Sequence, residues 1–167
     1  MKTIHQILLA CFIFAAFMAC ENETKVCDQT LSTNLRANFK RDTAIRIRDT
    51  VIHRITDTIM PKVVMRAVGR DSLLYNRVAT QNIFAPLSPI ADSSRYSLQL
   101  DSALVSDTLT FRYKRSTHFI SPGCGFGTYF LLDTVLTTHN TIDSLVINLK
   151  SVTSSNDTHL TLFLYAN

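Results

Sequence analysis

The chain has no tryptophan and only four each of glycine, proline and cysteine. Its two glutamates, Glu21 and Glu23, both lie near the N-terminus. Each scarcity narrows the chemistry. Sugar-binding platforms stack rings on Trp or Tyr, so a glycan surface would have to use Tyr75, Tyr96, Tyr113 and Tyr129. A glycosidase-type carboxylate pair would have to be two aspartates. There is no Gly-x-Ser-x-Gly elbow, no Cys-x-x-Cys, no His-x-His and no His-Glu-x-x-His. Spacing therefore announces neither nucleophilic catalysis nor a metal site. His53, His118, His139 and His159 are scattered. The expectation is a protein that is not an enzyme, with no catalytic residues, no metal and no cofactor.

No apolar run is long enough to span a bilayer, which takes roughly 20 helical residues. The longest, Ile7–Ala19, has thirteen, follows Lys2 and His5, and ends in small Ala19 directly before Cys20. That length suits the apolar region of a secretory signal. A cysteine after a small residue at the cleavage point resembles a bacterial lipobox, and by that resemblance Cys20 becomes the lipid-bearing first residue of the mature chain. The alternative is a plain signal cut near Ala19, leaving Cys20 a thiol. Residues 1–19 are read as signal peptide and excluded from the fold.

Without them, sixteen Lys and Arg face thirteen Asp and Glu, so no polyanion affinity follows and no nucleic-acid partner is expected. The charge is uneven: nine Lys or Arg lie between Arg36 and Arg70 against Asp42, Asp49 and Asp57. That segment suits anionic lipid or lipopolysaccharide phosphates, or simply a solvated strand face. Of the cysteines, Cys11 leaves with the signal and Cys20 is claimed by lipid. Cys27 and Cys124 remain as an even pair for one disulfide in an oxidising compartment, or as two free thiols.

Residues 20–33 are polar and lack periodicity, reading as a tether. From residue 34 to 167 alternation dominates. Leu35, Ala37 and Phe39 share one strand face; Leu109, Phe111 and Tyr113 another; Leu145, Ile147 and Leu149 a third; Leu160, Leu162, Leu164 and Ala166 a fourth. Period two in β-branched, aromatic and Thr-rich runs marks half-buried antiparallel strands. The expected fold is all-β: a single antiparallel β-sandwich, immunoglobulin-like or related. Residues 42–60 are the exception, because Ile45, Ile52, Ile55 and Ile59 could line a helical stripe. Their β-branched content favours strand, as a long hairpin or arm ended by Pro61. Pro122-Gly123-Cys124-Gly125-Phe126-Gly127 precedes a strand rather than a helix, so it reads as a turn and bulge that lets Cys124 reach Cys27.

Asp followed by Ser or Thr and an aliphatic or Ala recurs at eight of eleven aspartates. Such pairs make turns at strand starts. The triplet also resembles the O-glycosylation acceptor of exported Bacteroidota proteins, which makes Thr43, Thr50, Thr58, Ser72, Ser102, Thr108, Thr134 and Ser144 candidate acceptors.

The order of motifs is similar to that of a family of small Bacteroidota cell-envelope lipoproteins described as a domain of unknown function. The resemblance rests on the Cys20–Cys27 tether, Asp71-Ser72-Leu73-Leu74-Tyr75-Asn76-Arg77 and Phe84-Ala85-Pro86-Leu87-Ser88. It continues through Asp107-Thr108-Leu109-Thr110-Phe111, His118-Phe119 near Cys124, and Ile142-Asp143-Ser144-Leu145-Val146-Ile147. It implies outer-membrane lipid anchoring, on the periplasmic or cell-surface face. It also implies an accessory role beside an integral outer-membrane β-barrel, and supplies no catalytic residues. The competing expectation is a surface module for a glycan or another small ligand.

Overall fold

The computed structural model describes Cys27 and residues 33–165. The signal, Cys20, most of the tether and Ala166 lie outside the described residues. Within them the alternating runs form eleven strands and no helix.

One sheet contains β1 (Asn34–Ile47), β2 (Thr50–Asp57), β5 (Asn82–Pro86), β9 (Ile142–Ile147) and β11 (Leu160–Leu164). Its order is β2-β1-β11-β9, with β5 also paired to β1. The other sheet runs β10 (Ser151–Val152), β8 (Gly125–Leu136), β7 (Asp107–Ser121), β6 (Ser93–Gln99), β3 (Met60–Ala67) and β4 (Leu73–Thr80). The inner faces of both sheets meet in one core. Leu35, Ala37, Phe39 and Leu162 come from the first sheet and Met65, Leu98, Leu109, Phe111 and Leu132 from the second, all essentially sealed from solvent. The fold is the β-sandwich that the alternation predicts.

Three details depart from the expectation. First, pairing is not wholly antiparallel: β1 and β11 run parallel, with Ala37 opposite Leu160 and Arg41 opposite Leu164. β11 sits between β1 and β9, and its antiparallel match to β9 fixes its direction. Second, Pro61 does not end the preceding segment. The break falls at Thr58-Ile59, and Pro61 is the second residue of β3, beside a register shift between Met60 and Val63 where its missing N–H costs no ladder bond. Third, Leu149 lies beyond β9 and is exposed rather than facing the core.

The first strand outgrows its sheet. Pairing with β5 covers Asn34 to Asn38 and pairing with β11 ends at Arg41. Beyond Asp42, among the described residues, only β2 accompanies it. The alternating burial of residues 34–40 accordingly gives way to continuous exposure from Thr43 onward.

Buried polar groups fasten the layers. Asp107 is almost fully buried and accepts from Thr138 Oγ1 and Asn140 N–H at one oxygen, and from Thr141 and Ile142 N–H at the other. It thereby pins the β8–β9 crossover to the start of β7. The β5–β6 crossover is held the same way: Tyr113 Oη accepts from Ser88 N–H at 2.9 Å, Tyr96 Oη donates to the Pro86 carbonyl, and Arg115 reaches Asp92 and the Pro89 carbonyl. Burial pushes the Tyr96 phenol up, with Tyr113 adding to the effect while Ser94 and Arg70 oppose it.

Candidate functional site

The segment 42–57 is a hairpin arm. Ile47 pairs with Thr50 across a two-residue turn, Arg48-Asp49, in which Arg48 has φ 54°. A tight hairpin turn needs a positive φ there to match strand twist. Arginine, unlike glycine, meets that demand at a steric cost.

Paired residues share a face, so the register sorts the arm. One face continues the core side of β1 and carries Arg41, Thr43, Ile45 and Ile47 beside Thr50, Ile52, Arg54 and Thr56. The other carries Ala44, Val51 and Ile55 together with charged side chains. There His53 Nδ1 lies 3.0 Å from Asp42 Oδ2, and Lys40 lies 3.8 Å from Asp57. Ile45, Ile47, Val51, Ile52 and Ile55 are each 41 to 56% exposed. Five large β-branched side chains on so short a hairpin contrast with the scattered apolar residues of an ordinary surface. Throughout its length β2 is exposed, and among the described residues its outer edge pairs with no strand. Such an edge offers a row of unpaired N–H and C=O groups to an incoming strand.

At the far end of β1 the chain is fixed covalently. Cys27 and Cys124 are joined, with 4.7 Å between their Cα atoms across a sequence separation of 97. The glycine cluster works as a turn and bulge. Cys124 N–H donates to the Ser121 carbonyl at 3.2 Å, Gly125 takes φ 69°, and the β7–β8 register shifts between Phe119 and Ser121. Thr33 and Asn34 line one cleft with Phe126, Gly127 and Pro86. The disulfide end and the start of β1 are thus neighbours. The arm begins eight residues along the same strand and points the other way.

The remaining candidates disperse. Of the Asp-Ser/Thr pairs, those at Thr50, Ser72, Thr108 and Ser144 lie at or beside strand starts. Thr43 and Thr134 are inside strands, Thr58 follows a strand end and Ser102 lies in the turn after β6. The turn role therefore explains only part of the pattern. Thr43, Thr50, Ser72, Ser102 and Ser144 are exposed, whereas Thr58, Thr108 and Thr134 are half-buried. Tyr96 and Tyr113 are buried, Tyr75 Oη accepts from Phe84 N–H, and Tyr129 stacks on His118 at 4.8 Å. They form no shared platform.

A groove of about 430 Å³ lies between the ends of β3 and β4 and the β5–β6 crossover, with Arg70, Ser72, Ile90 and Arg95 in its walls. Among the described residues no three His, Cys, Asp or Glu side chains gather as metal ligands. Asp107, His159 and Thr161 are polar residues whose burial the alternation does not predict. Asp107 was explicable as a turn residue, and only its position before an apolar strand distinguished it. His159 lies just ahead of the Leu160–Leu164 alternation, but nothing local tells which ring environment the opposite strand supplies.

No curated protein and no solved structure matches the chain significantly. A family profile matches residues 62–164, from the third residue of β3 to the last of β11. The match leaves out β1 and the arm, although β1 supplies Leu35, Ala37 and Phe39 to the core. On that match the chain belongs to the family of unknown function DUF6452.

Proposed function

We propose that this protein is a non-catalytic, lipid-anchored component of a Bacteroidota outer membrane that docks through its β1–β2 arm on an integral β-barrel or an envelope assembly. The carrying observation is the arm itself: an open-edged hairpin with five exposed aliphatic side chains, projecting from a body that has a sealed core. Strand addition along β2 would satisfy its free edge while the isoleucines enter pockets on the partner. Arg46, Arg48 and Arg54 favour an acidic rim on that partner. The Cys20 lipid follows from the signal-like N-terminus, and the disulfide keeps the tether short.

Photo-crosslinking in intact cells tests the docking. A photoreactive residue at position 52 should yield one membrane-protein adduct at native expression, and Ile45→Lys with Ile55→Lys should abolish it. An adduct indifferent to both lysines, or none at all, overturns the reading.

A second reading follows from the groove, where Arg70 and Arg95 flank an apolar wall of a volume that suits a small ligand or sugar. It predicts a thermal shift with an anionic glycan that Arg95→Ala removes. The five exposed Asp-linked hydroxyls are proposed as O-glycan acceptors. An unmodified mature mass for the native protein refutes that.

A further inference from the structure

The β7–β8 hairpin also outruns its sheet. Pairing of β7 with β6 stops at Arg112, whereas pairing with β8 continues to Ser121. The extension ends in aromatic rings. Phe119 and Phe126 are paired across the ladder and meet edge-to-face at 5.4 Å, yet they are 53 and 69% exposed. On the opposite face His118 stacks on Tyr129. Between Lys114 and Leu132 there is no acidic residue, and Lys114 and His118 are basic side chains there, whereas Arg115 is already paired with Asp92. Aromatic rings flanked by basic groups are the composition of a membrane–water interface contact.

Covalent structure says what covers this tip. Cys124 sits in its turn and is bonded to Cys27. Cys27 is seven residues from Cys20, so a lipid there lies at most about 25 Å of extended chain away. We infer that the β7–β8 tip rests in the headgroup region of the bilayer that carries the lipid, with Phe119 and Phe126 as its buried wedge. This inference rests on Cys20 being acylated. It makes the anchor a two-point attachment, acyl chains at Cys20 and aromatic rings at the tip. It also sets the direction of the arm. From Asn34 beside the tip to Ile47 at the turn, β1 covers roughly 43 Å at 3.3 Å per residue. The arm is then held away from the membrane surface, where it meets the part of its partner that stands clear of the bilayer.

The lack of any other tryptophan allows a direct test. Full-length Phe126→Trp and Ile52→Trp proteins are isolated from membranes and reconstituted in phosphatidylethanolamine–phosphatidylglycerol vesicles, with and without brominated acyl chains. The Phe126→Trp indole should shift to the blue and be quenched by the brominated chains, as expected of a ring seated at the membrane–water interface. The Ile52→Trp indole should keep a solvent-exposed spectrum. Mass measurement of the same samples reports acylation of Cys20. An acylated protein whose Phe126→Trp indole is unquenched overturns the tip contact and leaves the anchor standing. A quenched indole on an unacylated chain retains the contact and discards the anchor. Equal quenching at both positions overturns the end-on orientation.

Discussion

The Oδ2 atom of Asp107 accepts the backbone N–H of Ile142 at 3.0 Å, joining the first residue of β7 to the first residue of β9 in the opposite sheet. Three further donors converge on the same carboxylate. Removing it would strand three main-chain N–H groups of the crossover in or near the interior, each costing its desolvation. Asp107→Ala should therefore destabilise the fold by about 3 kcal/mol or more. Asp107→Asn, which retains one acceptor oxygen, should cost less. Urea unfolding at constant slope measures both, and equal midpoints for Asp107→Ala and the parent would refute the role.

His159 gives the fold a pH dependence. Its ring is fully buried, and Nδ1 accepts the N–H of Arg36 at 3.1 Å. That bond requires the tautomer with its proton on Nε2. Burial holds the pKa below the ordinary 6.5, while Asp157 pulls the other way and the Ser151 backbone does so most weakly. Among the described residues the buried Nε2 has no hydrogen-bond partner. A group with a lowered folded pKa binds fewer protons folded than unfolded. Stability is then complete above about 6.5 and declines as pH falls through that value toward the folded pKa. One proton limits the slope to about 1.4 kcal/mol per pH unit. His159→Gln should flatten the dependence below pH 6.5, whatever it does to the absolute stability.

The turn of the arm carries a removable strain. At φ 54°, Arg48 occupies backbone space that glycine enters freely. Arg48→Gly should stabilise the hairpin by about 1 kcal/mol, slowing amide exchange in the arm roughly five-fold. The global unfolding midpoint should stay fixed, because the arm lies outside the core. Faster exchange after the substitution would show that Arg48 contributes a contact worth more than its strain.

The disulfide joins residues 97 positions apart. In the chain-entropy account such a link restricts the unfolded chain by about 4 to 5 kcal/mol. The paired Cys27→Ser and Cys124→Ser protein should lose stability of that order in urea, and a loss below about 1 kcal/mol would place the restriction elsewhere.

Much of this architecture was legible locally. Leu109, Phe111 and Tyr113 alternate with Thr110, Arg112 and Lys114, and the buried set is the one that period-two spacing predicts. The Cys27–Cys124 link and the turn at Pro122-Gly123 were legible because reading Cys11 as signal and Cys20 as lipid site leaves one pair, and glycine marks the bend. What was hidden depended on partners far along the chain. The parallel match of β1 with β11 is set by β9, and the burial of Asp107 by a crossover some thirty residues later. For Ile45 and Ile52 the β-branched character was readable, but their exposure was not. It follows from where β11 and β5 stop, which their own sequences do not state.

That parallel match has a consequence in time. Ala37 and Leu160 are 123 positions apart, and β11 is the strand that joins β1 to β9. The loop between β1 and β11 must close before their contacts repay its entropy, which slows folding. The other sheet needs no such wait, since β3, β4, β6, β7 and β8 pair with strands close in sequence. Assembly should therefore proceed in two acts, with the arm-bearing sheet completed last, when β11 slots between β1 and β9.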